Sequence, residues 1–233
     1  MARKDRVPNP PKPRVQAPQR RHTSSDQATA LRNRRMLALA GIGTLIVAAL
    51  VAGIVVVAGR GSGGERAALE DAGCTLRSYP GLKGTHLQEL HPKQRPKWNS
   101  FPPTSGAHYG QPAIWDFYDQ PVLLVQSVHN LEHGGIVIHY GNDVPAEQVE
   151  ELRTFYLDDP RGMLVAPLPA LKDKIALSAW TTPDTGTTAR TNGRGWLAIC
   201  RRFDEDAFKA FRDEHRFKGP ERFEPDSLQP GAP

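Results

Sequence analysis

The stretch SVHNLEHGGIVIHY, residues 127–140, joins a group of candidate metal ligands to a β-strand. Its second half, GGIVIHY, is apolar and partly β-branched after two glycines, which predicts a strand. Its first half places His129 and His133 four residues apart. If this half forms a helical turn, both imidazoles leave the same face. The stretch therefore predicts a strand of the central sheet and half of a metal site.

The segments on either side of this stretch predict an α+β fold. Helices are predicted for ERAALEDAG, which Gly73 would end, for PAEQVEELRTFYLDD and for DEDAFKAFRDEHR. Strands are predicted for QPVLLVQSV, GGIVIHY, GMLVAPLP and KIALSAWTT. Residues 77–115 are rich in Pro and Gly and predict a long ordered loop region. This order favours a small mixed or antiparallel sheet with helices packed on one face.

Residues 36–58 form an apolar run, MLALAGIGTLIVAALVAGIVVVA, without a charged side chain. As a helix the run would span roughly 35 Å, which is enough for a bilayer core of roughly 30 Å. A buried helix of a soluble domain would need apolar partners on every side, and the apolar core of a cleaved signal peptide is usually shorter. The run therefore predicts a single transmembrane helix.

The basic character of the chain belongs to residues 1–35, which hold ten Lys and Arg against two Asp. These residues predict a disordered tail. The positive-inside rule places the tail in the cytoplasm, beside the anionic inner leaflet, and everything after the span outside the membrane. Because no aromatic residues are interleaved with the basic ones, nucleic-acid binding is not supported.

The remainder of the chain divides into a linker, one folded domain and a C-terminal tail. The linker is predicted at residues 59–66, the extracytoplasmic α+β domain at 67–223 and a disordered C-terminus at 224–233. The only two cysteines, Cys74 and Cys200, both follow the span. In an oxidising compartment a disulfide between them is expected, and two unpaired buried thiols are the alternative.

A third metal ligand must come from outside the His129–His133 pair. His108, in the loop PPTSGAHY, is the first candidate, and His139 in the strand is the second. Met163 is the third, because a thioether favours Cu(I). A site rich in histidine and poor in thiolate outside the membrane favours copper ahead of zinc. The alternative is that these histidines only form hydrogen bonds that hold loops together.

Two other functions remain open. Residues 129–133 read H-x-x-E-H, in which Glu132 would activate water in a zinc hydrolase. That motif needs a continuous helix, and Gly134 and Gly135 follow it at once, so Glu132 is also a candidate acceptor that orients a ligand imidazole. A metal-free envelope binding or scaffold domain would instead use the aromatic residues of PAIWDFYDQP.

An ordered set of motifs marks a resemblance to a known family. The motifs are FPPTSGAHY, Trp115, HNLEHGGIVIHY, LSAWTTP and KGPE. Together they resemble a family of bacterial single-pass membrane proteins whose external domain has no assigned function, the domain-of-unknown-function 3105 family. The resemblance covers roughly residues 70–223 and implies the location and domain limits, but no activity. The family pattern does not require His139, which favours His108, His129 and His133 as ligands.

Overall fold

A computed structural model of the protein describes residues 62–88, 96–183 and 192–233. The predicted tail at 1–35 and the predicted span at 36–58 lie outside these residues. Within the described part of the chain, no helix has the length and apolar character needed to cross a bilayer.

Among the described residues, seven strands form one large sheet and one short ribbon. In chain order they are β1 (Thr75–Pro80), β2 (His86–Leu87), β3 (His108–Tyr109), β4 (Ile136–Tyr140), β5 (Met163–Pro167), β6 (Ile175–Thr181) and β7 (Arg194–Cys200). The large sheet has the order β1-β7-β6-β4-β5. It is mixed, because β4 and β5 are parallel and the other neighbours are antiparallel. The short strands β2 and β3 pair in parallel apart from it.

In the part of the chain that the structure describes, four α-helices accompany the sheet. They are α1 (Ser62–Asp71), α2 (Leu124–Glu132), α3 (Ala146–Asp158) and α4 (Glu205–His215). The predictions of α1, α3 and α4, and of β4, β5 and β6, are confirmed. Gly73 has a φ of 75° just after α1, a conformation that glycine adopts without strain. The α4 N-terminus is capped by Asp204, whose carboxylate accepts a hydrogen bond from the Ala207 amide at 3.1 Å.

The strand predicted for residues 120–128 is wrong, because α2 occupies Leu124–Glu132. Val125, Val128 and Leu131 are three residues apart and all buried, as on one face of a helix. The segment is a short apolar run, and such runs do not distinguish a strand from a buried helix by periodicity. Burial of the α2 face against the sheet therefore decided its structure.

Helices cover both faces of the sheet rather than one. Alternate side chains of β4 point to opposite faces. On one face, Ile136 and Ile138 share a core with Leu69 of α1 and Phe208 of α4. On the other face, Val137 packs in a second core with residues that include Val128 and Leu131 of α2. The prediction of helices on one face is wrong, because α2 forms where a strand was predicted and covers the second face.

The edge strand β1 and its neighbour β7 were not predicted, and β1 overlaps the beginning of the predicted loop region. Only Leu76 of β1 is buried, so its sequence carries a weak apolar pattern. A disulfide joins Cys74, just before β1, to Cys200 at the end of β7. The predicted disulfide is therefore confirmed, and it indicates an extracytoplasmic domain.

Both predicted ends of the folded domain were too short. Helix α1 begins at Ser62, within the predicted linker, and its buried Glu65 carboxylate lies 2.7 Å from His215 Nε2 on α4. The C-terminus at 224–233 is packed rather than disordered. Leu228 is buried, and the backbone of Trp115 pairs with that of Gly231 and Ala232. Tertiary contacts stabilise both polar segments, which explains why composition alone did not predict their order.

Candidate metal centre

The loop that contains His108 is held by hydrogen bonds at several points. The Leu82 amide donates to Ser105 Oγ, and the Trp98 indole donates to the carbonyl of Ala107. His108 follows in β3, where its amide donates to the Thr85 carbonyl at 3.0 Å. The His108 side chain is completely buried. This small rigid loop therefore presents one imidazole to the interior.

The β2–β3 ribbon places a second imidazole beside the first. His86 and His108 occupy paired positions in the parallel register, and their ring centroids are 4.9 Å apart. The chain that leads into β2 passes directly over Glu132. A Cβ at Gly84 would collide with the Glu132 carboxylate, so the absence of a side chain there permits this close approach. The His86 side chain itself is half exposed.

Helix α2 contributes the remaining side chains of the site. Asn130 anchors the helix, because its side-chain amide accepts from the Ala113 amide and donates to the Ala113 carbonyl at 3.0 and 2.8 Å. His129 and Glu132 lie in the last turn of α2, and His133 is its C-terminal cap. The rings of His129 and His133 are 4.5 Å apart, as expected for a helical turn.

Three imidazoles and one carboxylate form what we call the inner cluster: His86, His108, His129 and Glu132. One potential ligand atom of each lies within 4.8 Å of the others. Glu132 Oε2 is 2.9 Å from His108 Nε2 and 3.3 Å from His86 Nε2. All of the cluster except His86 is buried.

Backbone carbonyls set the tautomers of two rings in the inner cluster. His108 Nδ1 lies 2.7 Å from the Gly106 carbonyl oxygen, and His129 Nδ1 lies 2.6 Å from that of Tyr109. A carbonyl only accepts, so each Nδ1 carries the hydrogen, and in the neutral ring the lone pair is on Nε2. Metal-binding histidines commonly have this arrangement.

When His108 is neutral, the closest contact in the inner cluster joins two electron-rich atoms, His108 Nε2 and Glu132 Oε2. His108 Nε2 is buried and has no hydrogen-bond partner of good geometry within the described ranges, although the Glu132 carboxylate is 2.9 Å away. A lone pair and a carboxylate oxygen at this distance repel each other unless a proton or a metal ion lies between them. The arrangement therefore fits a bound cation.

Burial and neighbouring charges favour the protonation states that metal binding requires, which are a neutral imidazole and an ionised carboxylate. Burial lowers the pKa of His129, and the nearby His108 and His86 rings lower it further, despite opposing contributions from the Tyr109 carbonyl and Glu132. Burial alone would raise the pKa of Glu132, but interactions with the His108 and His86 rings give a net lowering. A neutral His129 and an ionised Glu132 are thus favoured at neutral pH.

A second group, which we call the outer cluster, consists of His129, His133 and Glu221. Its potential ligand atoms also lie within 4.8 Å of one another. The segment that carries Glu221 docks on the end of α2, where the Glu221 amide donates to the Glu132 carbonyl at 2.9 Å. A Cβ at Gly219 would overlap the backbone of Gly134, so glycine is needed for this contact.

Burial, followed by the charge of His129, lowers the pKa of His133 to about 4. Its imidazole is therefore neutral at pH 7. His133 Nδ1 is buried and lacks a hydrogen-bond partner among the residues that the structure describes. Nε2 faces Glu221, whose Oε2 is 3.8 Å away. The outer cluster thus offers neutral imidazoles and a half-exposed carboxylate.

Comparison with protein families identifies a match over residues 90–227, more than half of the chain, to the family described as "Protein of unknown function (DUF3105)". The chain belongs to this family. The suspected resemblance is therefore confirmed, and the DUF3105 region contains every residue of both clusters except His86. Comparisons with curated proteins and with solved structures found no match.

The structure brings together some of the predicted ligands in this DUF3105 domain and separates others. His108 and His129 meet in the inner cluster, whereas His133 lies beside them in the outer cluster. Met163 pairs with Ile136 and packs in the core on the opposite sheet face from α2. His139 is buried in β4 outside both clusters. Met163 and His139 are therefore corrected to core residues.

Sequence reasoning missed His86 and Glu221. The nearest histidine in sequence, His91, is five residues from His86, and the β2–β3 pairing is what brings His86 to His108. Glu221 did carry a signal, since it is the last residue of the KGPE motif that contributed to the family resemblance.

The aromatic residues that suggested a metal-free binding groove are largely part of the core. Trp115 is completely buried in a core that includes Val137 and Leu164, and Phe117 is 8% exposed. Tyr118 is half-buried, and its hydroxyl donates to the Ile114 carbonyl. They do not form an exposed groove, so this observation no longer supports a scaffold function.

The buried His139 predicts acid sensitivity of the fold. Both ring nitrogens lack hydrogen-bond partners within the described residues, and burial lowers the pKa from 6.5 to about 4. As pH falls from 6.5 to 4, His139 binds a proton in the unfolded chain but stays neutral in the folded chain, so the free energy of unfolding decreases. Between pH 7 and pH 5, we expect the free energy of unfolding of the wild type to fall by about 2 kcal/mol more than that of His139→Leu.

Urea unfolding of the wild type and His139→Leu at both pH values measures this difference. Equal pH dependence in the two proteins would show that His139 does not titrate in this window. The other groups remain in both proteins, so the comparison isolates His139.

Proposed function

We propose that this protein is a membrane-anchored, extracytoplasmic metal-binding protein whose metal is held by the inner cluster. One observation carries the proposal. The Nδ1 atoms of His108 and His129 are bound to backbone carbonyls, so their Nε2 atoms are available to bind a metal beside the Glu132 carboxylate. Structural histidines usually satisfy their nitrogens with protein or water hydrogen bonds. His108 Nε2 instead faces another acceptor, which supports a metal ligand.

The inner cluster needs only a small contraction to coordinate an ion. Ligand atoms at about 2.1 Å from a tetrahedral ion are about 3.4 Å apart. The ligand atoms here are separated by up to 4.8 Å. The half-exposed His86, on a strand of only two residues, is the member best placed to move inward. The buried His108 and His129 would stay in place, because their Nδ1 hydrogens are bound to the backbone.

The donor set favours copper(II) ahead of zinc. Met163 lies on the opposite face of the sheet, so the thioether argument for Cu(I) no longer applies. Three imidazoles and one carboxylate suit Cu(II) and Zn(II), and the Irving–Williams order gives Cu(II) the higher affinity at a nitrogen and oxygen site. No thiol competes, because both cysteines form the disulfide.

The hydrolase alternative is less well supported by the geometry. A general base in an H-x-x-E-H protease stands beside two histidine ligands without being one of them. Here Glu132 belongs to the same ligand group as His129, and His133 falls in a different group. Glu132 therefore acts as a ligand. A Glu132→Gln variant that retains the metal but loses a hydrolytic activity would instead support the base.

The membrane anchor rests on the apolar run at 36–58 and the arginines before it, among them Arg34 and Arg35. The disulfide supports the outer location of the folded domain. We expect added protease to cut the folded domain, but not residues 1–35, in right-side-out vesicles. Cleavage of the tail and protection of the domain would reverse the orientation.

A metal titration of the purified full chain tests the proposed function. We expect one Cu(II) per chain, bound more tightly than Zn(II) in competition, and about 10–100-fold weaker binding of both ions by Glu132→Gln. His139→Leu is the control histidine variant and is expected to bind like the wild type. If the wild type binds neither ion, the cation between Glu132 and His108 is a proton and the proposal fails.

A further inference from the structure

The inner and outer clusters share one side chain, His129. Its Nδ1 hydrogen is bound to the Tyr109 carbonyl, so only Nε2 is available to a metal. One lone pair cannot hold two ions at once. The two clusters are therefore alternative positions of a single ion rather than a two-metal site.

Each position has one half-exposed ligand, His86 in the inner cluster and Glu221 in the outer cluster, and the two positions differ in the number of ligands. The outer cluster has three ligands, and the Glu221 side chain is 52% exposed. The inner cluster has four ligands, and His108 and Glu132 are buried beneath the surface. A hydrated ion can reach Glu221 without leaving water, whereas the inner position requires it to lose more of its hydration shell. The additional ligand favours the inner position for retention of the ion.

We propose that Glu221 and His133 form an acceptor site through which a divalent ion, Cu(II) or Zn(II), reaches and leaves the inner cluster. This inference rests on the proposed function of the inner cluster. His129 Nε2 stays bound during the transfer, while Glu221 and His133 are replaced by His108, Glu132 and His86. The step is a ligand exchange, in which water leaves the ion and no electron is transferred.

The environment of His133 supports an acceptor role. Its ring is 4.5 Å from that of His129 and 4.2 Å from that of Phe223, which lies against it. The ring is thus confined between a ligand of the inner cluster and an aromatic side chain. The backbone bonds between 217–221 and the end of α2 keep Glu221 beside it. These contacts hold the acceptor ligands in place before an ion arrives.

The rate of metal loading distinguishes an acceptor site from a final ligand. Trp180 lies 6.4 Å from the His108 ring, so Cu(II) in the inner cluster is expected to quench its fluorescence. Stopped-flow mixing of the full chain with Cu(II), and then of the copper-loaded chain with a chelator, measures loading and release. We expect Glu221→Gln to slow both rates by about tenfold and to leave the dissociation constant unchanged.

A matched control separates ligand exchange from general attraction of the cation. Glu224→Gln removes the same charge from the same exposed segment, outside both clusters. We expect it to load at the wild-type rate. Equal slowing by both variants would mean electrostatic steering and would overturn the acceptor site. Wild-type loading and release rates in Glu221→Gln would also overturn the acceptor site, because they would mean that the ion enters directly past His86.

Two equilibrium results bear on the same proposal. If Glu221→Gln weakens the final affinity as much as Glu132→Gln does, Glu221 is a ligand of the retained ion and the transfer scheme is wrong. If two Cu(II) ions bind per chain, the shared use of His129 is wrong. Absence of Cu(II) binding by the wild type would refute the proposed function itself. A wild-type loading rate in Glu221→Gln would refute only the acceptor site.

Discussion

Cu(II) binding is expected to weaken on the order of 100-fold or more when His108 is replaced by alanine. Changes to residues that merely orient a ligand cost about 10–100-fold in metal affinity, and the loss of a direct ligand costs at least as much. His108 is fully buried and its Nδ1 is bound to the Gly106 carbonyl, so its Nε2 has a fixed position in the cluster. The half-exposed His86 should contribute less, and His86→Ala is expected to weaken binding only about tenfold.

A competition titration with a chelator of known affinity measures both His108→Ala and His86→Ala. Thermal unfolding of the metal-free variants shows whether the fold survives, since His108→Ala leaves a cavity. A folded His108→Ala protein that binds Cu(II) like the wild type would remove His108 from the site. A larger loss of Cu(II) affinity in His86→Ala than in His108→Ala would contradict the expectation that the buried His108 contributes more than the half-exposed His86.

The disulfide is expected to provide the largest single contribution to the stability of the domain. It closes a loop between residues 126 positions apart, and the loop-entropy relation gives about 4–5 kcal/mol for a loop of this size. It also joins the start of β1 to the strand with which β1 pairs, β7. We expect the Cys74→Ala/Cys200→Ala double variant to lose this stability and to melt about 10 °C lower or more.

Urea unfolding of the double variant and of the reduced wild type measures the effect of the disulfide. The free energy of unfolding should fall by a similar amount in both proteins, because both lack the cross-link. Copper affinity of the folded double variant should remain at the wild-type value, since neither cysteine belongs to a ligand cluster. An unchanged unfolding midpoint would show that packing of β1 against β7 is sufficient by itself.

Helices and strands with a strong repeating pattern could be predicted from the sequence. Helix α4 has Phe208 and Phe211 on one face and Asp204 at its cap, and β4 is a short β-branched run after two glycines. Helix α2 could not be assigned, because its apolar residues are consistent with either structure. The edge strand β1 was missed because only one of its residues is buried.

The limits of the domain were less predictable than its core. Residues such as Glu65 and Leu228 lie in segments of polar or proline-rich composition, yet both are buried. Their order depends on partners far away in the chain, namely His215 and the neighbourhood of Trp115. Composition reports the average solubility of a segment and contains no information about such partners.

The apolar run, the family and the proximity of His129 to His133 follow from the order of the residues, because each depends on local spacing. The disulfide was expected because the chain has two cysteines, and the structure excluded the alternative of two unpaired thiols. Which side chains share a ligand group is set by the folded chain. His86 reaches the inner cluster through strand pairing, and Glu221 reaches the outer cluster through docking of a distant segment on α2. Such long-range contacts arise from packing of the whole chain and leave no periodic pattern near either residue.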